Sequence, residues 1–160
     1  MKRWLAPFVL LLALLPSLTQ AARQPDDYVV LCYHDIVDLK LTPNLKLYPQ
    51  TIRRDTLIRH FNWIKQQGYH PVSFQQILDA KAGKAPLPEK AILLSFDDGY
   101  ESFYRLVYPL LKLYNYPAVF ALVGSWLDVA DDKMVPYGND KLPRSYFVGW
   151  PQIREMQDSG

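Results

Sequence analysis

An α/β fold built on a parallel sheet is predicted by three features of this 160-residue sequence. Short apolar runs rich in β-branched and aromatic residues alternate with longer stretches of helical periodicity, the pattern of strand–helix–strand units. The central run is apolar throughout rather than alternating, as expected of a strand covered on both faces. That run, Ala91 to Phe96, stops on Asp97, Asp98 and Gly99, so charge is delivered to the carboxyl end of a buried strand, where ligands bind in such sheets.

The elements follow in order. Tyr28 to Tyr33 is a β-branched and aromatic strand that ends on His34 and Asp35. Cys32, the lone cysteine, is expected to be a small, inert, buried residue of that strand. A loop rich in Leu, Pro and Asn runs from Leu39 to Gln50. Asp55 to Gln67 reads as an amphipathic helix with Leu57, Phe61 and Ile64 on one stripe and Gly68 as its stop. His60 lies on this helix as a surface or boundary residue. A short strand at His70 to Val72 leads to Ser73 and Gln76, a capping box that opens a helix from Phe74 to Ala82. His70 stands at the amino end of its strand, away from the expected site. After the central strand comes a helix from about Glu101 to Tyr114, kinked by Pro109, and then a buried strand from Ala118 to Val123. Asp128 to Arg144 has loop composition, its aspartates solvated. Trp150 to Asp158 is a helix with proline in its first turn. Gly160 stands where a C-cap belongs and a further strand is expected, so the sequence reads as part of a longer chain.

Phe-Asp-Asp-Gly arises by chance in about one chain in a thousand of this length. Either aspartate could simply cap the following helix. The alternative is functional: burying two ionisable groups at a strand end is costly unless each has a partner, commonly a metal. Successive strand residues point to opposite faces, so Asp97 and Asp98 share one cavity only if the chain turns sharply, which Gly99 allows.

Composition narrows the function classes. The chain is 49% apolar and 21% charged with a net charge of +2 and no basic stripe, which disfavours nucleic acid and makes a neutral substrate the default. Met1-Lys2-Arg3, the apolar stretch Trp4 to Leu15 and Thr19-Gln20-Ala21 form a signal peptide over residues 1–21, leaving a domain over 22–160 exported to the periplasm or cell surface. The apolar stretch is shorter than the roughly 20 residues a membrane span needs.

Ser95-Phe96-Asp97-Asp98-Gly99-Tyr100 resembles the first motif of the polysaccharide deacetylases, carbohydrate esterase family 4, also called the NodB-homology domain. Leu87-Pro88-Glu89-Lys90, Ser102-Phe103-Tyr104, Tyr116-Pro117-Ala118 and Val123-Gly124-Ser125-Trp126 resemble the exported branch that removes N-acetyl groups from the β-1,6-linked N-acetylglucosamine polymer of biofilms. The resemblance spans Tyr28 to Gly160 and implies the N-terminal part of a distorted (β/α) barrel, incomplete here, with its site at the strand carboxyl ends. It implies Asp97 as general base and Asp98 as ligand of one divalent metal ion, zinc or another transition metal such as nickel, cobalt or iron. The paired histidines of the family's second motif would fall just after Gly160, and the motifs that supply an arginine to tune the base and a general-acid histidine are also absent, so this stretch alone is expected to catalyse little. No lipid-accepting cysteine follows the leader, unlike some members. The implied partners are a neutral N-acetylated polysaccharide and exopolysaccharide export machinery.

His34 would face the same rim as Asp97, either in a site role or in a hydrogen bond within its loop. Tyr100, Trp126 and Trp150 offer flat faces to a sugar ring or serve as buried aromatics. Peptidoglycan, chitin and xylan are rival substrates, and a non-catalytic carbohydrate-binding or scaffold protein is the alternative from another class. An aspartate-dependent phosphotransferase is disfavoured because its two aspartates would be spaced Asp-x-Asp.

Overall fold

The computed structural model describes residues 27–43 and 47–158, so the expected leader and Gly160 lie outside the described residues. Its centre is strand β5, Ala91–Phe96, paired in parallel along its whole length with β1, Tyr28–Tyr33, in the register Tyr28 to Ala91 through Tyr33 to Phe96. The other edge of β5 is shared. Its amino half bonds β4, His70–Pro71, and its carboxyl half bonds β6, Val119–Phe120, both in parallel. This is the predicted α/β parallel sheet. A further pair of two-residue strands, β2 (Ile36–Val37) and β3 (Ile52–Arg53), joins the two ends of the segment read as a loop.

Helix α1, Arg54–Gln66, buries Leu57, Phe61 and Ile64 as its periodicity predicts, and Gly68 at φ +68° ends it. These side chains, Ile92, Leu94 and Phe96 of β5 and Tyr33 of β1 form the main core. Phe96 is fully buried, stacks on Tyr33 at 5.0 Å and meets Phe103 edge-on at 5.1 Å. Helix α2, Phe74–Lys81, carries the predicted capping box: the Gln76 amide donates to Ser73 Oγ at 3.2 Å and the Ser73 amide to Gln76 Oε1 at 2.8 Å. Each satisfies an otherwise orphaned amide of the first turn, together worth about 1 kcal/mol.

The helix expected from about Glu101 to Tyr114 is present, with Pro109 accommodated by a π-helical turn over Phe103–Val107 followed by α3, Tyr108–Tyr114. Proline has no amide to donate to the carbonyl four residues back, and the wider turn before it absorbs the mismatch. Three other expectations are corrected. The strand expected over 118–123 pairs only at Val119–Phe120, and Gly124–Leu127 turns into a short helix, α4. The segment 128–144 is structured: β7, Met134–Tyr137, and β8, Asp140–Pro143, form an antiparallel hairpin closed by Gly138 at φ +57° and Asn139. Two-residue hairpin turns require such a positive φ, so Gly138 is a turn signal inside an apparent loop. Finally, Cys32 is exposed rather than buried. β1 is an edge of the described sheet, and Val29 and Val30 are also about half exposed, at 51% and 49%.

A 3-10 turn over Arg144–Tyr146 links the hairpin to α5, Trp150–Asp158. Val135, Leu142, Tyr100 and Phe147 form a second small core beneath the hairpin. No helix among the described residues is long and apolar enough to cross a membrane.

Candidate active site

The parallel register of β1 and β5 sets the site. Cys32 lies beside Ser95, and side chains two apart on a strand share a face, so Cys32, His34, Ser95 and Asp97 converge at the carboxyl end of the sheet. Ser95 Oγ donates to Asp97 Oδ1 at 2.8 Å and the Cys32 thiol donates to Asp97 Oδ2 at 3.1 Å. The Asp97 backbone amide continues the ladder, donating to the Tyr33 carbonyl at 2.8 Å. One ligand atom from each of Cys32, His34 and Asp97 lies within 4.8 Å of the others. Desolvation, and then the Asp97 carboxylate, push the Cys32 thiol up from 9.0 to about 11.

Asp98 leaves this face. Its backbone is left-handed, φ +70°, and Gly99 follows at +74°. Two consecutive left-handed residues reverse the chain directly after the strand; the first is a non-glycine residue, in a conformation that costs energy and clusters at functional sites. A Cβ on Gly99 would sit 3.1 Å from Leu122 Cδ2, so glycine also meets a close approach. Asp98 Oδ2 accepts from the Tyr137 hydroxyl at 3.2 Å, and Gln50 Nε2 donates to that same hydroxyl. The two adjacent carboxylates therefore have separate sets of partners, one within the sheet and one in the hairpin.

His34 is half-buried and stands beside Asp97. Tyr100 is 5% exposed, packed against Phe147 at 5.0 Å, and burial raises its hydroxyl above the ordinary tyrosine range. Trp126 is half-buried against Phe147 at 4.5 Å, and Trp150 is exposed, its Nε1 donating to Asp128 at 3.4 Å. His60 is exposed and bonds the Tyr33 hydroxyl at 3.2 Å, and His70 is exposed at the opposite end of the sheet. Asp35 is anchored by Ser102 Oγ at 2.8 Å and Thr51 Oγ1 at 3.4 Å, with its carboxyl raised by burial despite those bonds.

Sequence reasoning missed Cys32, Ser95, Tyr137 and Arg144. The period-two relation of 32 to 34 and of 95 to 97 is a signal for the first two. Arg144 is 2% exposed, and its guanidinium donates to the carbonyls of Trp126, Phe147 and Val148, the last two at 2.8 and 2.9 Å. The Val148 amide in turn donates to the Gly99 carbonyl at 2.9 Å, tying Arg144 to the turn that carries Asp98.

Cys32, His34 and Asp97 bring a sulfur, an imidazole nitrogen and a carboxylate oxygen within 4.8 Å of one another, donors that a transition metal accepts, and Asp98 adds a carboxylate after the turn, outside that group. The donor chemistry is compatible with a metal and incomplete as a cage.

Residues 84–160 match the polysaccharide deacetylase family model. The poly-β-1,6-N-acetyl-D-glucosamine N-deacetylase of Escherichia coli strain K12 is 41% identical over 141 residues, which are 86% of this chain and 20% of that protein. Among solved structures, a de-N-acetylase from Aggregatibacter actinomycetemcomitans is 57% identical with a TM-score of 0.74, over 83% of this chain and 51% of that one. The BpsB deacetylase domain from Bordetella bronchiseptica is 38% identical with a TM-score of 0.65, over 86% of this chain and 54% of that one. The chain thus spans about a fifth of the curated relative and about half of the solved ones. Over the matched stretch its fold is that of about half of those deacetylase structures, and residues 84–160 are similar to the polysaccharide deacetylase family.

Proposed function

We propose that this chain contributes the carboxylate pair to the active site of an exported, metal-dependent de-N-acetylase acting on a β-1,6-linked N-acetylglucosamine polymer. The observation that carries the reading is the placement of Asp97 and Asp98, adjacent at the carboxyl end of β5 yet held by separate partners. Separate environments suit separate roles.

In this reading Asp98 holds the cation and Asp97 is the general base. A bound divalent cation lowers the pKa of a water from about 15.7 to near 7 and polarises a carbonyl oxygen. Asp97 takes one proton from the attacking water; Ser95 and Cys32 occupy one lone pair on each oxygen, and a carboxylate has about four such sites. The water oxygen bonds to the acetyl carbon, the C–N bond breaks, and the products are acetate and a sugar amine, whose proton comes from an acid outside the described residues. His34, beside Asp97, contacts the sugar or the carboxylate at the rim, and Trp126 offers a half-buried ring against Tyr137, the hydrogen-bond partner of Asp98. Linkage and substrate are supported by the names of the relatives and by a net charge of only +2, which suits a neutral glycan partner. Export to the periplasm or cell surface is supported by the leader pattern of residues 1–21. Contact with exopolysaccharide export machinery follows from the same role.

The test is acetate release by the full-length protein from β-1,6-linked N-acetylglucosamine oligomers, with β-1,4-linked chitin oligomers and acetylxylan as comparators. The reading expects chelator-sensitive release, highest on the β-1,6 oligomer. Glycan binding without release from any of the three would replace it with a carbohydrate-binding role.

A further inference from the structure

We propose that Tyr137 is the positioning residue of Asp98, holding Oδ2 so that Oδ1 is the atom presented to the cation. The inference rests on the reading of Asp98 as the ligand.

Tyr137 comes from the last position of β7, 39 residues beyond Asp98 and outside the Asp-Asp-Gly motif. Its hydroxyl donates to Asp98 Oδ2 at 3.2 Å while accepting from Gln50 Nε2, which belongs to a third segment. A phenol has a single proton; the Gln50 amide donates to its oxygen and the Tyr100 hydroxyl, raised in part by a hydrogen bond with Tyr137, is a second donor to it, which leaves the Tyr137 proton to the carboxylate. The ring is fixed as well. It meets Tyr100 edge-on at 6.1 Å and lies against Trp126 at 6.2 Å and Phe147 at 6.4 Å. Oδ1 of Asp98 has no hydrogen bond among the described residues, so one oxygen is held and the other is available.

The hairpin is seated firmly enough for this task. The Arg144 amide donates to the Lys133 carbonyl at 2.8 Å, and Arg144 also braces Phe147 and Val148, whose amide holds the Gly99 carbonyl. The backbone that carries Asp98 and the strand that carries Tyr137 are therefore fixed to one another on both sides of the contact. A left-handed aspartate is costly to hold, and the hydrogen bond to its side chain selects one rotamer of a residue whose backbone is already committed. Ligating carboxylates generally receive such a hydrogen bond, and losing it costs about 10–100-fold in metal affinity.

The experiment is Co2+ binding to the metal-stripped full-length protein, followed by its visible d–d absorption, in the wild type and in Tyr137→Phe, Gln50→Ala and Asp98→Asn. Tyr137→Phe keeps the ring and is expected to lose about 10–100-fold in Co2+ affinity with its thermal midpoint within about 3 °C of wild type. Gln50→Ala, which frees the hydroxyl without touching Asp98, is expected to lose about threefold, the weight of one neutral hydrogen bond. Wild-type affinity in both variants, with binding lost in Asp98→Asn, overturns the positioning role and leaves the ligand assignment intact. Wild-type affinity in Asp98→Asn overturns the ligand assignment itself.

Discussion

Replacing Arg144 by methionine tests the least expected feature of the fold. Arg144 is 2% exposed and no carboxylate among the described residues pairs with it; its partners are the carbonyls of Trp126, Phe147 and Val148. Methionine fills much of the volume but donates nothing. The two bonds to Phe147 and Val148 are buried, and an orphaned buried acceptor costs about 1–3 kcal/mol, so the direct loss is about 2–6 kcal/mol. Releasing a buried charge offsets part of this. The expected net loss is about 3 kcal/mol, roughly a 150-fold drop in the folding constant, against a total stability of about 5–15 kcal/mol for a typical domain. Arg144→Lys keeps the charge but cannot span three carbonyls with one ammonium, and should lose about half as much. Urea unfolding of the full-length protein, monitored by tryptophan fluorescence, reads both. A loss below about 1 kcal/mol in Arg144→Met would refute the reasoning, because carbonyls that tolerate the loss of their donor were not dependent on it.

Phe96→Ala removes a fully buried ring packed between Tyr33 and Phe103 and should cost about 3–5 kcal/mol in the same unfolding assay; a cost near 1 kcal/mol would mean that β5 is not central to the core. Gly99→Ala puts a Cβ on a residue at φ +74° and 3.1 Å from Leu122 Cδ2, a loss of about 1–2 kcal/mol from the left-handed backbone alone, since the leucine methyl can move; no loss would show that the turn relaxes. Cys32, raised to about 11, favours the neutral thiol in the folded state, so its contribution to stability is complete below its ordinary 9.0 and is lost as pH rises toward 11. At pH 8.5 iodoacetamide should therefore alkylate the folded protein more slowly than the urea-unfolded chain, by about tenfold or more, since the thiolate is the nucleophile. Asp97→Asn should recover part of that rate, because the carboxylate is the second cause of the shift after desolvation; equal rates in folded and unfolded chains would contradict the contact.

The elements that local chemistry specifies were legible. β1 and β5 are uniform apolar runs, α1 announces its buried stripe at Leu57, Phe61 and Ile64, and the Ser73–Gln76 capping box occurs where its residues stand. What escaped depends on pairing between distant segments. Cys32 looks like a core residue until the register with β5 places it beside Ser95 and two positions before His34. The hairpin is hidden by Pro136 and Pro143, which read as breakers, although each lies in a two-stranded ribbon with no further strand paired to it among the described residues. Arg144 is surrounded by loop residues in sequence, and one of its carbonyl partners comes from 18 residues upstream. Tyr137 has no local signal at all; only the fold of the hairpin brings it to Asp98. The adjacency of Asp97 and Asp98 was plain, but their divergence follows from the left-handed Asp98, which no propensity favours strongly.

The central claim is that Asp97 and Asp98 divide the chemistry between them. Its most direct test is metal content and acetate release measured together on the full-length protein in Asp97→Asn and Asp98→Asn. The account predicts that Asp98→Asn loses both metal and activity, and that Asp97→Asn retains metal at the wild-type level while acetate release falls at least 100-fold, the lower range for a general base. Wild-type metal content with full acetate release in both variants would contradict it.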